Sequence, residues 1–439
     1  MAYGVRGLTL RAVLFKGSRD LIPLYALYAL LFAEHGLGTA QISSLLAIWS
    51  LTAFVLEVPS GAWADTVSRR GLLILSAVLM AAGFAVWTVA PSYPGFAIGF
   101  VLWGAAGALE SGTFEALVYD DLVARGARAA YPRIMGYTRA AEETSVVVAI
   151  LAAAPLYAWG GYALVGWASV GVAVSHTVIA LSLPRAPMAV SAVAVDELDE
   201  QGAEPLVLPA DAPCEEMRGT VSRYLLMLRT GIGEAVRVRR VRYGVLLGSL
   251  LYGITAFDEY FGLLAQSAGA PTAVVAILVG VTVLGSMAGA LLAGRTEGMS
   301  ARAMAIALVL AAALFILGSM VTGLAVDHPN AVYLLTGFGF TAIGAAYGVV
   351  YNSSVIAEAR LQDSIEGPAR ATVTSVSGLL AELVALAIFG FVALVTLWLS
   401  MAATVALLGV LILAIALVTP AWLPRRAEVA EIWQEALPD

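Results

Sequence analysis

The stretch LEVPSGAWADTVSRRGLL, residues 56–73, places charged residues between two long apolar runs. Asp65 is followed by Arg69 and Arg70, and Glu57 stands two helical turns before Asp65. Such a stretch is either a loop on a soluble protein or a loop at a membrane surface. The apolar runs on its two sides, and the composition of the chain, decide between these alternatives.

The composition is that of a membrane protein. Hydrophobic residues make up 60% of the 439 residues, and charged residues make up 13%. The mean hydropathy is +0.88. Soluble proteins carry about 25% charged residues, so this chain has too few polar side chains to cover a water-facing surface. Several runs reach the roughly 20 apolar residues that a helix needs to cross the hydrocarbon core. We therefore expect an all-α, polytopic membrane protein.

Averaging hydropathy over about 19 residues predicts twelve membrane-spanning helices. Their approximate ranges are 13–33, 42–62, 72–90, 96–118, 136–157, 162–183, 243–265, 272–293, 302–325, 331–351, 371–395 and 397–420. All 24 Lys and Arg residues are assigned to the N-terminal segment, the loops after even-numbered spans or the C-terminal tail. Basic residues accumulate in cytoplasmic loops. We expect both termini in the cytoplasm, in the inner (plasma) membrane, and the Arg-rich, Lys-poor composition indicates a bacterial source.

The predicted spans form two groups of six, separated by a long hydrophilic segment. We expect an N-terminal six-helix bundle in 1–184, a cytoplasmic linker in 185–240, a C-terminal six-helix bundle in 241–426 and a cytoplasmic tail in 427–439. The loops after the fourth and tenth spans resemble each other, which indicates pseudo-symmetric halves. The arginine-rich second half of the linker fits an interfacial helix on anionic lipid and a solvated connector equally well.

The decapeptide GAWADTVSRR resembles the loop between the second and third spans of the Major Facilitator Superfamily, whose pattern is roughly G-x-L-A-D-R-x-G-R-R/K. The matching positions are Gly61, Ala64, Asp65, Arg69 and Arg70. The positions that depart from the pattern are Trp63, Thr66 and Ser68. With twelve spans in two groups, the resemblance covers essentially the whole chain. It implies a transporter, which is not an enzyme and needs no cofactor, and LEVPSG resembles a variant found among drug and metabolite exporters.

The resemblance also implies a conformational latch at the cytoplasmic surface. Asp65 is expected to contact the start of the eleventh span, around residues 370–372, and Arg69 to pair with Asp120 or Asp121. The other latch positions implied by the motif are Gly61 and Arg70. A reversible contact of this kind biases the equilibrium between two end states. The alternative is a solvated loop whose arginines only set the topology.

Acidic residues inside the predicted spans are candidates for proton coupling or for binding a cationic substrate. The deep ones are Glu110, Glu115, Asp258, Glu259 and Glu382. No lysine or arginine is predicted at their depth, so we expect them to be unpaired, and unpaired charges within a bilayer are costly and usually functional. For each acid, the alternative is a buried group hydrogen-bonded to Ser, Thr or Tyr. Nearer the cytoplasmic surface, Glu57 is a candidate as a hinge-associated carboxylate or as a structural acceptor.

Glu110 is the first candidate for the coupling site. In a continuous helix, Trp103 and Phe114 share its face, which suits an organic cation through charge and cation–π contact. Asp258 and Glu259 point about 100° apart on a helix, so we expect only one of them to face the cavity. Tyr252 lies on the predicted face of Glu259.

The leading hypothesis is proton-coupled efflux of a small cationic or amphipathic compound. A proton-coupled importer or facilitator for a metabolite is the alternative, and the absence of the exporters' G-x-x-x-G-P-x-x-G-G pattern from span five weakens the antiport assignment. A membrane enzyme is disfavoured because the chain has no G-x-x-x-x-G-K-S/T, H-E-x-x-H or G-x-S-x-G motif. We expect a monomer whose partners are a small-molecule substrate, protons and lipids, without nucleic acid or bound metal.

Overall fold

The structure is a computed structural model that describes residues 4–186, 238–364 and 370–424. The linker with its predicted helix, the tail and the loop at 365–369 lie outside the described residues. The described part is helical and contains no strand. The helices of its N-terminal half are α1 (Val5–Arg19), α2 (Tyr28–Glu34), α3 (Thr39–Thr66), α4 (Arg69–Val89), α5 (Tyr93–Glu110), α6 (Thr113–Ala124) and α7 (Tyr131–Leu181).

The C-terminal half continues from residue 238. Its helices are α8 (Arg239–Gly253), α9 (Phe261–Ser267), α10 (Thr272–Thr296), α11 (Ala301–Leu324), α12 (Val332–Ser364), α13 (Arg370–Val395) and α14 (Met401–Trp422). Short 3-10 turns lie at Pro23–Ala26, Arg128–Ala130, Ile254–Tyr260, Ala325–Asp327 and Pro329–Ala331. Among these described helices, nine helical stretches are long and apolar enough to cross a membrane.

The spans that are missing from those nine are interrupted or merged. One 54-residue stretch, Arg128–Leu181, contains the fifth and sixth predicted spans. The helix is broken between them at Gly160 and Gly161, and the latter has a φ of 59°, a left-handed conformation that favours glycine. The first and seventh spans are each divided by a 3-10 turn into pieces of 15 and 7 residues.

The interruptions of the first and seventh spans lie at the same place in the two halves. Pro23 begins the first 3-10 turn, and its missing N–H and fixed φ interrupt the α-helical hydrogen bonding. The seventh span is wound as a 3-10 helix over seven residues, Ile254–Tyr260. A long 3-10 stretch within a helix often marks a functional hinge. These matching interruptions agree with the internal repeat indicated by the loops.

The fourth span is also interrupted, next to its central acid. Helix α5 ends at Glu110, and Gly112 has a left-handed φ of 67° before α6 begins at Thr113. Phe114 therefore belongs to a different helix from Glu110, and the prediction that the two share a continuous helical face is wrong. The prediction failed because it assumed unbroken α-helical geometry through Gly112.

The two halves share one hydrophobic core, which in the C-terminal half extends as far as Leu423 after α14 and which crosses between the halves at the end remote from the chain termini. This core joins Leu30 of α2 to Phe261 of α9, and the hydroxyl groups of Ser43 and Tyr260 form a 2.8 Å hydrogen bond across the same interface. At the other end, the described residues form separate cores, one in each half. Among the described residues, the two halves thus pack together at the end remote from the termini, while the two smaller cores near the termini each lie within one half.

Helices α10 and α12 touch through glycines. A Cβ atom added at Gly289 would lie closer than 3.0 Å to the carbonyl oxygen of Gly348, a separation that real Cβ atoms essentially never show. Gly285 meets Gly344 in the same way one turn earlier. The neighbouring atoms are backbone, so the clash cannot be relieved by rotating a side chain. Small residues at this spacing allow helices in membranes to approach closely.

Gly289→Ala is therefore expected to lower the free energy of unfolding by about 1–3 kcal/mol, because the added methyl group forces two backbones apart. The measurement is unfolding in mild detergent. Gly294→Ala is the matched control on the same helix, since a Cβ there meets nothing within 4 Å. Equal losses of stability in the two variants would contradict this reading of the contact.

Candidate functional site

A cavity of about 160 Å³ lies between the two halves. Its wall from the N-terminal half comes from α3, and its wall from the C-terminal half comes from α8, the following 3-10 turn and α13. The residues that line it are Trp49, Ser50, Tyr252, Gly253, Thr255, Ala256, Asp258, Glu259, Ala381, Glu382, Ala385 and Phe389. Three carboxylates and no basic side chain appear among these described lining residues.

Asp258 and Glu259 both line the cavity, so the prediction that only one of them faces it is wrong. The reason is the winding of the segment. In a 3-10 helix, residues three apart are eclipsed, and the lining residues of this segment follow that spacing in two adjacent rows. One row ends in Asp258 and the other in Glu259. Tyr252 begins the row of Asp258, not that of Glu259.

Each cavity carboxylate accepts a hydrogen bond from a hydroxyl group. Tyr347 of α12 donates to Asp258 over 2.8 Å, within the C-terminal half. Tyr28 of α2 donates to Glu259, and this bond crosses between the halves. These hydroxyls satisfy lone pairs of the carboxylates and leave the negative charges without a cationic partner among the described lining residues.

Glu382 is held in a similar way. Ser50 of α3 donates a hydrogen bond to the Glu382 carboxylate of α13, again between the halves. Two of the three cavity acids are thus bonded across the interface. The third, Asp258, is bonded within its own half.

An aromatic stack supports the cavity wall behind Trp49. The Trp49 ring stacks on Trp103 with centroids 5.0 Å apart, and Trp103 stacks on Tyr25 at 5.2 Å. Trp103, a predicted site residue, therefore acts as the support of a lining residue and is not among the lining residues itself. On the opposite wall, Phe389 of α13 lines the cavity. Aromatic faces beside carboxylates suit a cation with apolar groups.

Glu110 lies in a separate cluster of ion pairs inside the N-terminal half. Its carboxylate is 3.0 Å from Lys16 Nζ and 2.7 Å from Arg19 Nε. Lys16 also contacts Glu142 at 3.1 Å and Glu115 at 3.7 Å. The expectation that the deep acids are unpaired is wrong for Glu110 and Glu115. Glu110 is 3% exposed and does not line the cavity.

The counterions were missed because Lys16 and Arg19 were assigned to a cytoplasmic segment. They lie in the last turn of α1, and this helix begins at Val5, eight residues before the predicted start of the first span. Their i,i+3 spacing, which puts both on one helical face, was the signal available in the sequence. Phe114 belongs to this cluster, where it is fully buried and 4.9 Å from Lys16 Nζ.

Glu57 lies elsewhere and is not among the cavity-lining residues. Its side chain is exposed and accepts a 2.9 Å hydrogen bond from the Ser111 hydroxyl, at the interruption between α5 and α6. This contact ties the second half of α3 to the interruption of the fourth span. A role for Glu57 as a hinge-associated carboxylate stays a prediction.

At the terminus end of the N-terminal half, Arg69 forms a buried ion pair with Asp120. Its Nε also donates to the carbonyl oxygen of Ala64 over 3.1 Å. Both charged side chains are almost fully buried, at 3% and 1% exposure. Breaking such a pair by removing one partner leaves an uncompensated buried charge, which is strongly destabilising. The pair therefore joins the start of α4 firmly to the end of the fourth span.

Two other predicted latch residues, Asp121 and Arg70, have partners within the N-terminal half. Asp121 pairs with Arg125 at 2.9 Å on the same helix, and Arg70 donates to the carbonyl oxygen of Leu181. The backbones of Gly61 and Asp65 belong to α3, but the Asp65 side chain and its predicted partners at residues 370–372 lie outside what the structure describes. The latch itself stays a prediction.

Structural comparison places the fold among solved transporters. A variant of the nucleoside transporter NupG has a TM-score of 0.67 at 12% identity, with coverage of 94% of this chain and 99% of NupG. The POT family transporter PepTSo also gives a TM-score of 0.67 at 12% identity, with coverage of 99% and 100%. At such identity the likeness concerns the fold alone. The comparison with curated proteins found no match.

A family model supplies the remaining evidence. The model of the Major Facilitator Superfamily matches residues 17–384, most of the chain. That range begins within α1, one residue after Lys16, and includes Arg69 and every cavity-lining residue except Ala385 and Phe389. The chain belongs to the Major Facilitator Superfamily and is a multi-pass membrane transporter of small molecules, not an enzyme.

Proposed function

We propose that this transporter moves a small organic cation by alternating access and couples the movement to protons. The observation that carries the proposal is the cavity between the halves, where Asp258, Glu259 and Glu382 meet and none of the described lining residues is basic. Ligand sites in transporters lie near the bilayer midplane between the repeated halves. An intramembrane carboxylate is a functional-site hypothesis in its own right.

The charge of the cavity favours cations over anions. The three carboxylates have only neutral hydroxyl partners, Tyr347, Tyr28 and Ser50, so an anion entering the cavity meets uncompensated negative charge. A cation compensates that charge, and because the three carboxylate side chains are half-buried, the attraction is stronger than in bulk water. Trp49 and Phe389 add aromatic faces that attract a cation further.

Proton coupling belongs to the same carboxylates. An acid with a neutral hydroxyl partner loses little when it takes up a proton, whereas Glu110 would lose attraction to two close cations, Lys16 and Arg19. Glu259 and Glu382 are therefore better candidates than Glu110 for the acid that takes up a proton when the substrate leaves and releases it when the substrate binds. Their hydrogen bonds across the interface also connect the state of the carboxylates to the contact between the halves.

Alternating access is supported by the unequal packing of the two ends. A shared core joins the halves at one end, and separate cores stand at the terminus end. With both termini in the cytoplasm of a bacterial inner membrane, as the distribution of basic residues indicates, the divided end is cytoplasmic. In this setting the loop with Asp65 and Arg69 would latch the cytoplasmic end when it closes, and a single monomer suffices.

Efflux by proton antiport is the direction we propose. Import or facilitated diffusion is the second candidate, and one observation favours it: the fifth span reads AILAAAPLYAWGG, which lacks the pattern of the exporters. The fold alone does not distinguish between these activities.

The test is transport by the purified protein in vesicles with an imposed pH gradient. The compounds are small organic cations, a neutral polyol and a dicarboxylate, none of which crosses lipid readily, with protein-free vesicles as the control. We expect accumulation of cations alone, at least about tenfold above the no-gradient level. Accumulation inside acidic vesicles indicates antiport, and accumulation inside alkaline vesicles indicates symport. Flux of only the polyol or the dicarboxylate would contradict the proposal.

A further inference from the structure

We infer that the substrate is a compact dication, an aliphatic diamine of about six to eight non-hydrogen atoms. The inference rests on the proposed function, since it concerns the cation that occupies the cavity between the halves. The charge of the cavity, the chemistry of its walls and its volume each narrow the class of cation.

The charge of the cavity indicates the charge of the substrate. Asp258, Glu259 and Glu382 carry up to three negative charges into one small space. Lys16 and Arg19 are engaged by Glu110 and do not line the cavity, and Arg139, whose charge acts on the lining residue Tyr252, is not a lining residue either. A monovalent substrate leaves two carboxylates to be neutralised by protons, whereas a divalent substrate leaves one. Because uncompensated charge is costly within a bilayer, a dication balances the site with a single exchangeable proton, where a monocation needs two.

The walls fit two ammonium groups joined by a chain. Two of the carboxylates come from the 3-10 turn after α8, and the third comes from α13. The remaining wall is largely apolar, formed by alanines and by the aromatic rings of Trp49 and Phe389. Methylene groups pack favourably on such a surface, while each ammonium group donates hydrogen bonds to carboxylate oxygens.

The volume of the cavity indicates the size of the substrate. A cavity of about 150 Å³ holds one benzene molecule, and this cavity measures about 160 Å³. A diamine with four to six carbons is of that size. The cavity is partly open, so this volume is the space beside the carboxylates that a compact diamine fills, whereas the broader hypothesis of a drug exporter concerns bulkier cations.

The test compares 1,5-diaminopentane with hexylamine, because both have seven non-hydrogen atoms and differ in having two ammonium groups or one. Binding is measured by calorimetry on the detergent-purified, full-length protein at pH 7, where both amines are protonated. We expect the diamine to bind at least about tenfold more tightly. Glu382→Gln, which keeps an acceptor for Ser50, should weaken diamine binding about tenfold and hexylamine binding less than about twofold.

Glu34→Gln is the matched control, since Glu34 is exposed at the end of α2 and distant in sequence from the cavity acids. Asp258→Asn provides a second cavity variant with the same expected pattern, in case Glu382→Gln fails to fold by size-exclusion chromatography. Equal affinities for the two amines, or a diamine advantage that survives in both cavity variants, would overturn the inference. If only monovalent or bulky cations bind, the inference fails while the proposed function stands. If no cation binds, both fail.

Discussion

Replacing Lys16 with methionine is expected to lower the free energy of unfolding by about 3–5 kcal/mol, the cost of breaking a buried ion pair from one side. Lys16 lies within 3.7 Å of three carboxylates, those of Glu110, Glu115 and Glu142. Methionine keeps an unbranched, apolar side chain that can occupy much of the same space, so the loss reports mainly on the missing charge. The measurement is denaturant unfolding of the purified protein in mild detergent.

Arg6→Met is the matched control for this variant. Arg6 lies on the same helix, α1, but is exposed, so removing its charge is expected to change stability by less than about 0.5 kcal/mol. Adding Glu142→Gln to Lys16→Met removes one of the stranded carboxylates and should restore part of the loss. Equal stabilities for Lys16→Met and Arg6→Met would show that the ion cluster does not stabilise the fold.

Glu259→Gln is expected to reduce pH-driven accumulation of the substrate by about 10- to 100-fold, the usual range of a coupling free energy. The amide accepts the hydrogen bond of Tyr28 through its carbonyl oxygen, as the carboxylate does, but it does not take up or release a proton. The measured quantity is the ratio of accumulation with the gradient to accumulation without it. Changes in affinity that affect both conditions equally cancel in this ratio.

The exposed Glu34→Gln variant again serves as the control and should keep the wild-type ratio. Glu110→Gln supplies a second comparison, because Glu110 lies in the ion cluster and not in the cavity. A Glu259→Gln protein that still concentrates substrate in response to the gradient would remove Glu259 from the coupling mechanism. In that case Glu382 is the remaining acid bonded across the halves.

Hydropathy and charge were sufficient to predict an all-α, polytopic membrane protein, and the resemblance of GAWADTVSRR to the superfamily's loop indicated the family. Both signals are averages over many residues, so an error of several residues at one helix end changes neither. The motif also led to the expectation that Arg69 meets the acidic end of the fourth span, and the structure places it against Asp120. This pairing could be predicted because the topology of the fold decides which helix ends lie beside this short stretch of chain.

The details of the site were harder to predict because they depend on where helices break. The wheel argument for Phe114 failed at Gly112, and the argument about Asp258 and Glu259 failed because their segment is wound with 3-10 geometry. Hydropathy averaging does not detect such interruptions. They arise from the local backbone and from tertiary contacts, such as the bond between Tyr347 and Asp258.

The counterions of Glu110 escaped prediction for a different reason. From composition alone, a basic residue near the start of the first span can belong to a cytoplasmic segment or can pair with a buried acid. The rule that basic residues accumulate in cytoplasmic loops favours the cytoplasmic segment. Lys16 and Arg19 lie deeper because α1 begins as early as Val5. Only the three-dimensional position of the fourth span, more than 80 residues later in the chain, shows which acid they meet.

The single core shared by the two halves has a thermodynamic consequence. To part the halves at that end, water must enter between apolar side chains such as Leu30 and Phe261. Hydration of apolar surface raises the heat capacity. If the protein works by the alternating access that we propose, the populations of the two conformations should follow a curved van't Hoff plot, and the working temperature becomes a determinant of which side of the membrane the empty protein faces.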